Sequence, residues 1–108
     1  VPRSVRIEDL YRFILPGPPA LSPDGRWIAF AVKRVDRKEN RYVSHLWIVP
    51  ARGGRPRQLT RGLVSDGSPA WSPDGRELAF VSDRGDKANA WALSLEGGEP
   101  RQVTHLGG

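Results

Sequence analysis

The 108-residue chain is 38% apolar and 27% charged, which suits a folded domain and excludes a chain disordered throughout. It has no cysteine, so disulfides and thiolate metal sites are excluded, and no apolar run reaches membrane-spanning length or reads as a signal-peptide core. The formal charge of +5 raises nucleic acid as a partner, but the arginines are interleaved with Asp and Glu over many turns, which favours a solvated surface with neither nucleic acid nor membrane as partner.

The first segment has helical spacing. Ile7, Leu10, Tyr11 and Ile14 fall on one face, Glu8 and Asp9 suit the N-terminal end of a helix, and Pro16 stops it. A short helix is expected over 6–14, within a leading segment 1–17. Its apolar face packs either on its own domain or on a neighbouring one.

From Leu21 the apolar period becomes two. The stretch "RWIAFAV" (26–32) alternates with both faces apolar, so both faces are expected to be covered. "SHLWIVP" (44–50) reads as the next strand, and "RPRQLT" (55–60) as a short polar one after the Gly53-Gly54 turn. A second unit follows the same course through "SPAWS" (68–72), "ELAFVSD" (77–83), "NAWALSL" (89–95) and "EPRQVT" (99–104). Ser22 aligns with Ser72 and Trp47 with Trp91; the first copy is longer between its second and third strands, through a loop at Arg34–Val43.

The repeated Ser-Pro-Asp-Gly is a turn device. Pro23 and Pro73 fix φ for the second turn position, Asp24 and Asp74 suit the third, and Gly25 and Gly75 supply a left-handed residue. Ser22 and Ser72 can hydrogen-bond a turn amide. Asp24 and Asp74 occupy equivalent corners and are not a catalytic carboxylate pair.

Such units cannot stand alone with two apolar faces. The expected fold class is all-β: two four-stranded antiparallel blades of an incomplete β-propeller, preceded by the short N-terminal α-helix. The blades are expected over 18–60 and 61–104, with 105–108 beginning a connection onward. Trp47 and Trp91 are expected to fill space between blades. Two blades do not close a ring, so further blades are expected from the same parent chain or a second polypeptide; alone, the piece would expose faces and edges.

No catalytic, cofactor-binding or metal-binding residue stands out, and no cofactor is expected. There is no Gly-x-Ser-x-Gly elbow and no Gly-rich phosphate loop. Ser22 and Ser72 have no activating base defined by the sequence; His45, ahead of a third strand, and His105, after a fourth, occupy unmatched positions and fall short of a zinc ligand set. Arg34, Arg37, Lys38 and Arg41 form a basic hairpin tip that is solvated, contacts another subunit or domain, or binds a peptide carboxylate.

The stretches "PALSPDGRWIAFAV", "LWIVPARGGRPRQLT", "PAWSPDGRELAFVSDR" and "AWALSLEGGEPRQVT" resemble PD40 or TolB-like propeller repeats over residues 18–104. The helix ahead of the first blade is similar to the start of prolyl-oligopeptidase-family serine peptidases, nearest to the acylaminoacyl-peptidase branch. That resemblance implies a parent enzyme whose α/β-hydrolase domain, outside this chain, supplies Ser, Asp and His; a cytoplasmic setting is the default expectation, which the absence of cysteine does not fix. The helix, through Leu10 and Ile14, would pack on that domain, and the propeller would gate access of small peptides. The alternative is a TolB-like interaction propeller without chemistry.

Overall fold

A computed structural model describes residues 17–85 and 87–104. The helix expected over 6–14, and His105, lie outside the described residues. Within them the chain is all-β. Strands β1 (Ala20–Leu21), β2 (Trp27–Asp36), β3 (Arg41–Pro50) and β4 (Arg57–Gln58) form one four-stranded antiparallel sheet in chain order. Strands β5 (Asp66–Trp71), β6 (Glu77–Gly85), β7 (Lys87–Ser94) and β8 (Arg101–Gln102) form the second in the same order. The two sheets do not close on themselves, as in an incomplete propeller.

Each Ser-Pro-Asp-Gly forms the corner between the first two strands of its sheet. The Gly25 amide donates to the Ser22 carbonyl at 2.9 Å, and Gly25 has a φ of 73°, a conformation that a Cβ would strain. Gly75 repeats this with a φ of 72° and a 2.9 Å bond to Ser72. The Ser22 hydroxyl donates to Asp24 Oδ1 at 2.7 Å and accepts the Trp27 amide at 3.0 Å, while Asp24 Oδ1 also accepts the Arg26 amide. Ser72, Asp74, Arg76 and Glu77 make the same bonds.

The fourth strands are shorter than the polar runs 55–60 and 99–104 suggest. Thr60 ends the first ladder: its Oγ1 accepts the Leu46 amide at 2.9 Å, in place of a backbone carbonyl. Thr104 does the same for Ala90 at 2.9 Å. A side-chain acceptor satisfies the buried amide and releases the strand after two paired residues.

The stretch Arg34–Val43, expected as a loop, is mostly strand. Pairing runs without a break from Trp27↔Pro50 to Asp36↔Arg41, leaving only 37–40 as the turn. Asp36 Oδ1 accepts the Glu39 amide at 3.0 Å and Asn40 takes a φ of 52°, so the tip closes tightly. Upstream, Lys33 Nζ lies 4.5 Å from the Tyr42 ring centre, and Val43 is buried. The charge of this stretch hides strand pairing that these contacts support.

The core lies between the sheets. Alternation sends Ala29, Ala31, Leu46 and Ile48 to one face of the first sheet, where they pack against Leu78, Phe80 and Leu93 of the second. Trp27, Leu59, Trp71, Trp91 and Leu95 pack around this cluster. The opposite face of the first sheet carries Ile28, Phe30 and Val49, also buried, with Trp47 beside them. Both faces of β2 are therefore covered, as its two apolar sets require. Trp91 packs at the space between the two sheets, as expected of it. Trp47 occupies the matching position, but in the first sheet that face turns away from the second.

Candidate functional site

The densest polar network sits at the seam where β5 enters against the first sheet. Asp66, the first residue of β5, has no solvent exposure, and its Oδ2 accepts Arg84 Nη2 at 2.7 Å. Arg84 Nε donates to Ser82 Oγ at 3.0 Å, and the Arg84 guanidinium lies 5.4 Å from the Phe80 ring centre and 5.6 Å from that of Trp91. From the first sheet, Ser44 Oγ donates to the Asp66 carbonyl at 2.8 Å. Segment 61–65 runs along β3, with the Ser44 amide bonded to the Val64 carbonyl and Ser44 bridged in parallel to Ser65. Asp83 Oδ1 accepts the Ser65 amide at 2.8 Å. Below, Trp71 Nε1 donates to the Ala20 carbonyl at 2.9 Å, joining the first strands of the two sheets.

This arrangement fixes one sheet on the other. The carboxylate is committed to a guanidinium, and the Ser82 hydroxyl accepts from Arg84. Asp66 Oδ1 is buried without a partner, so the pair is held by geometry at a desolvation cost.

The other polar candidates are engaged in the same structural sense. Ser22 and Ser72 are locked in their corners, each between an Asp and a backbone amide. The Ser22 hydroxyl, then the Arg26 amide, hold the Asp24 carboxyl below its ordinary value; Ser72 and Arg76 do the same for Asp74. His45 lies inside β3, within the stretch 44–50 already expected as strand, and not ahead of it. Its Nε2 bonds the Gly62 carbonyl at 2.7 Å, which requires the proton on that nitrogen, and its Nδ1 is buried without a partner. It meets neither serine. Among the described residues no group of three or more His, Cys, Asp or Glu could hold a metal ion.

Of the basic hairpin residues, Arg41 reaches Asp83 of the second sheet at 3.9 Å. Arg34, Arg37 and Lys38 are exposed, with Arg37 and Lys38 in the turn itself. The structure therefore does not gather the four into one site. At the opposite end of the first sheet, Arg26, Trp27, Pro50 and Arg52 line an open groove of about 520 Å³ with Asp24 and Gly25.

Sequence reasoning missed the Asp66–Arg84 pair. The available signal was an Asp opening a strand of a repeat whose second strand ends in Ser-Asp-Arg. Their meeting depends on the register Asp66↔Ser82, which only the folded sheet supplies.

Comparison with known proteins agrees with this architecture. The PD40 family, described as the TolB beta propeller domain, matches residues 14–108. The uncharacterized peptidase YuxL of Bacillus subtilis (strain 168) is 36% identical over 103 residues, and the match spans 94% of this chain but only 16% of that protein. Two solved structures share the fold. A protein of Agrobacterium tumefaciens described as TolB-like superposes with a TM-score of 0.66 at 24% identity, over 82% of this chain and 31% of that one. The Pyrococcus horikoshii acylaminoacyl peptidase gives 0.64 at 18% identity, over 95% of this chain and 16% of that one.

Proposed function

The chain belongs to the PD40 family of TolB-type β-propellers, and from that premise we propose that it is a non-catalytic interaction module, in which stacked blades present surfaces to further blades and to partner domains. The observation that carries this reading is the shared inter-sheet core. Leu46 and Ile48 of one sheet and Leu78 and Phe80 of the other are buried together, and the polar groups at the seam are spent on holding that stack.

A second reading is favoured by the 36% identity to YuxL across 94% of the chain. In it the blades belong to an acylaminoacyl-peptidase-like serine peptidase and restrict its substrates to small peptides. Its hydrolase domain, in the same parent chain or a second polypeptide, supplies the nucleophile, base and acid.

Labelling of the full-length protein with a fluorophosphonate, followed by peptide mapping, tests both. The interaction-module reading expects no labelled serine. The peptidase reading expects one outside residues 17–104, with hydrolysis of short acylated peptides that falls as peptide length grows. A labelled serine within 17–104 would overturn the non-catalytic role common to both.

A further inference from the structure

The two sheets present the same face differently, and the difference specifies what covers the second. In the first sheet, Ala29, Ala31, Leu46, Ile48 and Leu59 receive Leu78 and Phe80. The repeat alignment places Ala79, Val81, Ala90, Ala92 and Val103 on the same face of the second sheet. There Val81 is 44% and Val103 50% exposed, whereas Leu46 and Ile48 are 0% exposed. Leu46, Ile48 and Leu59 are thus replaced by the smaller Ala90, Ala92 and Val103, and only Ala31 gives way to something larger. Trp27 is replaced by Glu77, which bonds Arg101 through both carboxylate oxygens at 2.8 Å and so bounds the apolar patch at the corner end.

We infer that this face is the seat of a third repeat sheet whose inward side chains are larger than Leu78 and Phe80, with aromatic rings at both positions or a tryptophan in place of Phe80. The inference rests on the propeller reading and deepens it by naming the shape of the next partner. Interiors pack to near-constant density, so a face that lost bulk at its centre needs a counterpart that gained it. The stacking direction follows from the existing interface: this face in the first sheet meets the Leu78 and Phe80 side of its neighbour. A second copy of the chain does not fit as the occupant. The equivalent side of its first sheet, Ile28 and Phe30, is already buried at 6% and 3%, and is no larger than Leu78 and Phe80.

Three variants of the full-length protein test this by thermal unfolding and thiol labelling. Val81→Asp probes whether the face is covered, and is expected to lower Tm by roughly 5 °C or more. The double variant Ala90→Leu with Ala92→Ile restores the bulk of the first sheet; against a bulky neighbour it overpacks, with an expected fall of roughly 3–10 °C. Val81→Cys, which is mild enough to fold where Val81→Asp does not, is expected to resist a maleimide under native conditions at every protein concentration. If the face is protected but the Leu/Ile variant is neutral or more stable, the size inference is wrong while the propeller reading stands. Rapid labelling at Val81→Cys would overturn both. Protection lost on dilution would identify a second copy and overturn the proposed occupant.

Discussion

Arg84 Nη2 lies 2.7 Å from Asp66 Oδ2, and that carboxylate has no contact with solvent while the Arg84 side chain keeps 18% of its exposure. Coulomb attraction repays the desolvation of such a pair only while both partners are present. Arg84→Met, which leaves a buried lone carboxylate, is expected to cost about 3–5 kcal/mol. Asp66→Asn keeps the shape and one acceptor for the arginine, so its cost is expected to be smaller. A double-mutant cycle by urea denaturation should show strong coupling between the two. Additive effects would mean that the pair is held by its surroundings and not by mutual attraction.

The Trp71 indole N–H donates to the Ala20 carbonyl, a bond between sheets that no strand ladder provides. Trp71→Phe removes the donor and keeps an aromatic ring in the inter-sheet cluster. The expected loss is about 0.5–1.5 kcal/mol for the hydrogen bond, plus a small packing term. Hydrogen exchange localises it: amides of β1 and β5 should open more readily, while those of β7 and β8 are unchanged. A uniform change across both sheets would show that Trp71 acts through bulk packing.

Much of the fold is legible in the sequence. The corners were readable because proline, aspartate and glycine each restrict the backbone in a known way, and the strands because alternation survives on both faces of Ile28–Val32. Three features were not. The hairpin from Lys33 to Val43 looked like a loop because its strand pairing is carried by charged and exposed residues, whose alternation has no apolar signature. Which tryptophan meets the second sheet is not legible, because Trp47 and Trp91 hold identical positions in the repeat and only the order of stacking decides it. The seam at Asp66 was hidden because its partner lies on another strand, and register joins them only once the second sheet has formed.

Thr60 and Thr104 make the fourth strands stop where they do, each accepting a β-strand amide through its hydroxyl. Valine has the same shape and no acceptor. Thr60→Val should leave the buried Leu46 amide unpaired and cost about 1–3 kcal/mol. Thr60 is 4% exposed, whereas Thr104 is partly exposed, so water can take the place of its hydroxyl at the Ala90 amide and that part of the loss should be smaller in Thr104→Val, which also removes the 3.1 Å bond the hydroxyl donates to Asn89 Oδ1. Hydrogen exchange at the two amides separates the terms: an Ala90 amide that opens as readily in Thr104→Val as the Leu46 amide does in Thr60→Val would rule out water as the replacement.

The corner aspartates give the fold a dependence on acid pH whose sign can be worked out. Hydrogen bonds from Ser22 and the Arg26 amide lower the folded-state value of Asp24 from 3.8, and Ser72 and Arg76 do so for Asp74. The unfolded chain therefore binds protons more readily at these positions than the folded one. Their contribution to stability is fully present above the ordinary carboxylate value and is lost as pH falls through the lowered folded value. Denaturation midpoints followed from about pH 5 down to about pH 2 should fall for the parent protein, with a shallower fall in Asp24→Asn and a shallower one still when Asp74→Asn is added. Asparagine keeps a neutral acceptor in the turn, so both variants should fold at neutral pH with somewhat reduced stability. An unchanged acid slope in the double variant would assign the acid sensitivity to other carboxylates and leave the Ser-Pro-Asp-Gly corners as turns without a titrating role.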